Sequence, residues 1–307
     1  MIAQLVEQSA VNRSVVGSSP TQGAIFLYAG PIAQLVEQPA HNRSVFGSSP
    51  NGPTIYNTIK YSVQSRFLLC IFFIMRRKKM QLGARLQTVA NFVPEKSRVA
   101  DIGTDHAYLP IMLAEEKKAI VVIACDVNKG PYGVACHTVK TAGLAERIEV
   151  RLGDGLKALK PDEVDVVTIA GMGGSLICEI LDASADVVRA LTALVLQPMN
   201  GAAELRGWLY ENKWYIEDED LTIEDNRLYE VIYARQGIQE KPEDLLLEIG
   251  PVLWRKKSKL LEQHIKKLLF QQRRAALGME NSTQAMKSKK YAATIAKILE
   301  LEGRLKW

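Results

Sequence analysis

The sequence predicts an α/β fold: a mainly parallel sheet wrapped by helices, followed by a helical tail. Three observations carry this. Short apolar, β-branched runs alternate with helical stretches between residues 98 and 198, the pattern of βαβ units with right-handed crossovers. The runs are continuously apolar, as in strands buried on both faces. Residues 238–307 keep a helical period and carry a net charge of +7, against −8 for residues 80–237.

Taken in order, "LGARLQTVANFV" (82–93) has apolar residues at helical spacing and stops before Pro94. Five strands follow: "RVADIG" (98–103), "AIVVIACD" (119–126), "IEVRLGD" (148–154), "VDVVTIAG" (164–171) and "LTALVLQP" (191–198). "WYIEDEDLTIED" (214–225) and "RLYEVIYAR" (227–235) read as a terminal hairpin. Residues 243–277 read as helix with a break at Gly250-Pro251, and 284–307 as a second helix after a polar turn, an antiparallel pair. The domains expected are thus 75–237 for the sheet and 238–307 for the basic helices.

The first eighty residues differ. "IAQLVEQSAVNRSVVGSSPT" (2–21) returns as "IAQLVEQPAHNRSVFGSSPN" (32–51), identical at 16 of 20 positions. Two copies are too few for a solenoid. Back-translated, "AQLVEQ" and "GSSP" resemble the D-arm and T-arm of a tRNA gene. Their starts, Ala3 and Gly17, lie 42 nucleotides apart in a coding frame, close to the spacing of those arms. The expectation is that 1–74 is a mis-called upstream frame, with the start at Met75 or Met80, so this segment and its Asn-x-Ser matches at Asn12 and Asn42 are excluded from fold reasoning.

Composition narrows the classes. Of 307 residues, 47% are hydrophobic and 24% charged, as in ordinary soluble proteins. The four cysteines, Cys70, Cys125, Cys136 and Cys178, form no CxxC pair, so reduced thiols and no metal are expected. The longest apolar run, "FLLCIFFI" (67–74), is too short for a bilayer, which needs about 20 residues. A cytoplasmic location and no obligate protein partner are expected. The basic tail suggests a nucleic-acid partner, although a solvated lysine-rich helix face has the same composition.

Function concentrates at the carboxyl ends of the strands, where open α/β sheets bind ligands. Strand one ends in Asp101 and Gly103, strand two in Asp126, and strand three in Asp154 and Gly155. Strand four ends in Gly171, Met172, Gly173 and Gly174, and strand five in Gln197 and Asn200. A dinucleotide site needs G-x-G-x-x-G to seat a pyrophosphate. Here Thr104, Asp105, His106, Ala107 and Tyr108 fill that turn, and Asp105 would repel phosphate. S-adenosyl-L-methionine has no phosphate and carries a sulfonium cation, so it suits the loop better. Asp126, 23 residues after Gly103, is placed to accept from ribose hydroxyls, and Asp154 from an adenine amine. Capping of turns and helices is the bland account of any one of these acids.

"VADIGTDHAYLP", "CDVNKGP", "GDGL", "TIAGMGG", "LQPMNGAAELRGWL" and "EDNRLYEVI" succeed one another as in the bacterial tRNA (adenine-N1)-methyltransferases acting at position 22, and the chain resembles that family over about residues 80–307. Met199 stands within "QPMN" where the family tends to read Gln-Pro-Asn. The resemblance implies a Rossmann-like class I methyltransferase sheet with a C-terminal α-helical, coiled-coil-like domain. It implies methyl transfer from S-adenosyl-L-methionine to N1 of an adenine in the tRNA D-arm. The cofactor would then meet Asp101, Gly103, Thr104, Asp126, Asp154, Gly155, Gly171 and Met172.

N1-methyladenine is cationic, so a carboxylate beside the base would stabilise the charge or take a proton from the amine. Asp105 is expected to be that carboxylate. His106 and Tyr108 read either as base-orienting, stacking groups or as a structural histidine and a core aromatic. Amino-methyltransferases commonly carry Asp/Asn-Pro-Pro-aromatic after strand four; "AGMGG" stands there instead. Gly173, Gly174, Gln197 and Asn200 are expected near the base. Lys256, Lys257, Lys266, Arg273 and Arg274 are expected on tRNA phosphates, or on a solvated helical arm used for packing. Two other readings keep the fold: a methyltransferase for another RNA or a small molecule, and a non-catalytic RNA-binding protein. The basic tail argues against a small molecule, and the intact Asp101, Gly103, Asp126 and Asp154 against a dead scaffold.

Overall fold

The computed structural model describes residues 81–306, so the expectation for 1–74, with its start at Met75 or Met80, lies outside the described residues. Residues Lys78–Trp307 group as one compact unit. A single helix, α1 (Ala84–Phe92), leads into β1 (Ser97–Ile102), α2 (Tyr108–Glu115), β2 (Ala119–Asp126), α3 (Lys129–Thr141) and β3 (Ile148–Leu152). After a short 3₁₀ turn (Gly155–Ala158) come β4 (Val166–Met172), α4 (Gly174–Asp182), α5 (Ala185–Ala190), β5 (Ala193–Pro198) and α6 (Ala202–Glu211). The hairpin β6 (Trp214–Glu224) and β7 (Arg227–Gln236) closes the sheet. The tail forms α7 (Asp244–Ile249), α8 (Pro251–Arg255), α9 (Leu261–Glu280), α10 (Thr283–Met286) and α11 (Lys289–Arg304).

The seven strands run in the order β3-β2-β1-β4-β5-β7-β6. The first five are parallel. β7 is antiparallel to both β5 and β6, so β6 points the same way as β5. The chain reverses its lateral direction between β1 and β4, and the crevice at such a switch point is where α/β sheets bind ligands.

Alternation along each strand divides the core between the two faces. Ala100, Ile102, Leu194, Leu196, Ile232 and Ala234 pack on one side, and Val99, Ala193, Val195 and Val231 on the other. A third core joins the tail to the sheet: Leu221 and Leu228 of the hairpin pack with Leu245, Ile249, Leu253, Ile265 and Leu301.

That junction also holds buried charge. Arg206 is fully buried; its Nε donates to Glu219 Oε1 at 2.7 Å, its Nη2 to Glu230 Oε2 at 2.8 Å, and its Nη1 to the Leu247 carbonyl at 2.8 Å. The other oxygen of the buried Glu219 accepts from the Val252 and Leu253 amides at 2.8 and 3.3 Å. Burial opposes the Arg206 charge, but Glu219 and Glu230 override it and raise its pKa.

The break at Gly250-Pro251 is present, with Gly250 at φ +98° and Pro251 opening α8. A second break, not expected from the sequence, separates α8 from α9. Lys257 takes φ +48°; its amide donates to Trp254 O and that of Ser258 to Leu253 O. This is a Schellman ending with lysine where glycine is usual, so no residue here marks a stop in the sequence. α9 and α11 are tied near the turn by Tyr291–Glu280 and further along by Arg273–Glu302, an antiparallel pair. Among the described residues no helix is long and apolar enough to cross a membrane.

Candidate active site

At the β1/β4 switch point a cavity of about 400 Å³ is lined by Arg85, Asp101, Gly103, Thr104, Asp105, His106, Tyr108 and Gly171, among others. Its shape comes from the β1–α2 loop. Gly103 turns at φ +74°, and the amides of Gly103 and Thr104 both donate to Cys125 O of β2 at 2.9 Å. Asp105 and the buried Ala107 also have positive φ, +52° and +57°. For residues with a Cβ that conformation is strained, and such strain clusters at functional sites. Its effect is to lift Asp105, His106 and Tyr108 off the sheet.

The three form a cluster. His106 Nε2 lies 3.6 Å from Asp105 Oδ2. The His106 and Tyr108 rings stack at 5.1 Å, 13° from parallel. All three are accessible: Tyr108 is 40% exposed, and the Asp105 and His106 side chains 66% and 45%.

The floor is buried and polar. Thr168 donates to Asp101 Oδ1 at 2.7 Å. Burial pushes the Asp101 carboxyl up, an effect that Thr168, Thr104 and Arg85 oppose and Asp126 reinforces. The buried Thr104 hydroxyl has no hydrogen-bond partner of normal geometry. A Cβ on Gly103 would collide with Met172 Cε, and Gly171 sits at φ +84°. The buried Asp101 carboxylate with the Thr104 hydroxyl beside it, and glycines at the lip, make a cradle for a small polar ligand. S-adenosyl-L-methionine fits its donor set: Asp101 suits the ammonium, Thr104 a carboxylate or hydroxyl.

Asp126 lies behind the loop. Both its oxygens accept backbone amides, from Asp105 at 3.2 Å and Asn128 at 2.9 Å, so it braces the loop. Asp154 is exposed at the end of β3 and pairs with Lys157 at 2.6 Å. Gly155, next to it, has φ +56°. Gly173 and Gly174 open α4 and abut the β5 loop: a Cβ on Gly174 would strike Gly201 O, and one on Gly173 would lie 3.1 Å from Asn200 Oδ1.

Gln197 is fully buried and its amide is engaged on both sides. Oε1 accepts from Arg85 Nη1 at 2.8 Å and Gly171 N at 3.1 Å, while Nε2 donates to Pro198 O at 2.9 Å. It clamps the cavity wall rather than facing the opening. Arg85, its partner, was missed by the sequence reading. The signal was there: Arg85 is the lone charge in "LGARLQTVANFV". Glu224 also holds it, accepting from Arg85 N at 2.9 Å.

The basic residues of the tail are dispersed. Lys256 pairs with Asp218 at 2.9 Å, Lys266 with Glu262 at 2.5 Å and Arg273 with Glu302 at 2.6 Å. Lys257 sits at the helix ending after α8. Arg274 is exposed and unpaired among the described residues.

A methyltransferase-domain family model matches residues 82–232. A tRNA (adenine(22)-N(1))-methyltransferase of Bacillus subtilis (strain 168) is 40% identical over 185 residues, 59% of this chain and 78% of that protein. The crystal structure of a Streptococcus pneumoniae protein described as a putative tRNA (m1A22) methyltransferase superposes with a TM-score of 0.68. It is 33% identical over 73% of this chain and 100% of that one. The same protein in complex with S-adenosyl-L-methionine gives 0.65 at 33% identity, over 72% and 98%.

Proposed function

The chain belongs to the tRNA (adenine(22)-N(1))-methyltransferase family, and on that premise we propose how its residues divide the work. The enzyme transfers a methyl group from S-adenosyl-L-methionine to N1 of adenine 22 in tRNA. The cofactor supplies an electrophilic methyl on a sulfonium.

The observation that carries the assignment of roles is the two-sided cavity, with a buried carboxylate on the floor and an exposed acid–imidazole–phenol cluster at the mouth. Asp101, Gly103, Thr104, Gly171 and Met172 hold the cofactor, with Asp126, Asp154 and Gly155 along the neighbouring strand ends. The stacked His106 and Tyr108 rings offer a flat surface to an unstacked base. N1 is normally paired, so the target adenine must leave its stack. Asp105 then stands beside a base that turns cationic as its N1 lone pair is used, and its carboxylate stabilises that charge. Gly173, Gly174 and Asn200, outside the cavity lining, pack together at the neighbouring β4 and β5 ends, where a bound base would reach them, and Gln197 keeps the cavity wall in place. The helical segment 238–307 serves as the tRNA-holding domain after the 75–237 methyltransferase domain. The enzyme works in the cytoplasm.

The test uses the purified protein, labelled S-adenosyl-L-methionine and two unmodified tRNA transcripts, one with adenine and one with guanine at position 22. Methyl transfer to the adenine transcript alone, with a reverse-transcription stop at that base, is the expected result. Transfer to both relocates the target, and tRNA binding without transfer refutes the enzyme reading.

A further inference from the structure

Beside the catalytic cavity lies a second, of about 420 Å³, whose lining includes Met199, Arg227, Tyr229, Gln263 and Lys267. Because β6 points the same way as β5, the Asp225–Asn226 turn and the start of β7 stand at the carboxyl edge of the sheet. That edge also bears the catalytic loops. The wall between the cavities is thin. Arg85 lines the first, and its guanidinium carbon lies 5.8 Å from the ring centroid of Tyr229, which lines the second. Gln197, which holds Arg85, is followed in the chain by Pro198 and Met199 of the second cavity.

The second cavity is cationic and aromatic. Arg227 is exposed and makes no ion pair among the described residues. Lys267 spends one proton on the Leu228 carbonyl at 2.9 Å and keeps two. The acid in the lining, Glu230, is already bound to Arg206 at 2.8 Å. From this cavity one face of α9 carries Gln263, Lys267, Phe270 and Arg274, whose spacings of four, three and four residues align them. Phe270 is 66% exposed despite its ring. Cations interleaved with an exposed aromatic match an RNA strand, whose phosphates need charge and whose unpaired bases need a stacking surface.

Resting on the function proposed above, we infer that this second cavity seats the nucleotide adjacent to the methylated adenine. Arg227 and Lys267 contact its phosphodiester, Tyr229 and Met199 lie against its base, and the Gln263–Arg274 face of α9 carries the strand onward. These are different contacts from Lys256, Lys266 and Arg273, whose charges are shared with acids.

The test compares Arg227→Gln, Lys267→Met and the double variant with the wild-type full chain. Direct binding of the adenine-22 transcript is read by fluorescence anisotropy across a salt series. The double variant should bind at least about tenfold more weakly and lose about one unit of log–log salt slope, one phosphate being left without its cations, with S-adenosyl-L-methionine affinity at the wild-type value. A methylphosphonate at one of the two linkages flanking nucleotide 22 should weaken the wild type and leave the double variant unchanged. The exposed Arg227 makes its single variant informative should Lys267→Met unfold. Wild-type affinity and slope in the variants overturn the inference. So does equal sensitivity to methylphosphonates placed anywhere, or a change of oligomeric state in place of tRNA affinity. Binding is read without turnover, so failure to methylate adenine 22 refutes the reaction, while the anisotropy still decides the cavity.

Discussion

Arg206→Met removes a cation from the junction between the sheet and the helical tail at nearly constant volume. The fully buried guanidinium makes two charge-assisted bonds, to Glu219 and Glu230, and a third to the Leu247 carbonyl. Without it, Glu219 keeps the Val252 and Leu253 amides on one oxygen and has nothing on the other. Removing one partner of a buried pair costs about 3–5 kcal/mol, because the remaining charge stays out of water uncompensated. For a chain of this size about 4 kcal/mol corresponds to a Tm lowered by about 8–16 °C. Equilibrium urea unfolding should show the midpoint falling at constant slope. Adding Glu219→Gln keeps an acceptor for the two amides and removes the stranded charge, so the double variant should regain about half the loss. A single variant within about 1 kcal/mol of wild type would refute the reasoning. It would mean that water or a shifted Lys256 neutralises Glu219 at no cost.

Three further outcomes are expected. Gly103→Ala forces a Cβ into Met172 at φ +74° and should weaken S-adenosyl-L-methionine binding by about tenfold or more by calorimetry; Met172→Ala beside it relieves the collision but not the roughly 1–2 kcal/mol of backbone strain. Asp101→Asn keeps the acceptor for Thr168 and removes a carboxylate that burial raises above its usual 3.8. A raised acid costs stability as pH climbs from 3.8 through its folded value, so the variant should equal or exceed wild-type Tm at neutral pH, the difference closing near pH 4, while cofactor affinity falls. Asp105→Asn should lower kcat on tRNA by about 10²–10³ in single-turnover assays, and wild-type turnover would remove Asp105 from the chemistry.

The sheet was legible because it is periodic. The run 119–126 coincides with β2, and the other four strands begin or end within two residues of the expected bounds. Strand ends are where main chain stops pairing, so Asp101, Gly103 and Gly171 could be read as cavity residues from position alone. What the sequence hid depends on partners far along the chain. Nothing near Gln197 says that Arg85, 112 residues away, takes its oxygen. Nothing near Lys256 says that Asp218 takes its charge. A count of basic residues does not show which of them share their charge with acids, as Lys256, Lys266 and Arg273 do.

The strand order sets a timetable. β6 is synthesised before β7 yet lies outside it, so β5, buried along all six residues, has an open side until residue 236 has emerged. An open apolar edge is a template for wrong pairing. The same closing strand leads directly into the helices whose leucines complete the third core. The last edge of the sheet and the core under the helical tail are thus both completed late in the chain, and a nascent chain cut short of residue 236 lacks both.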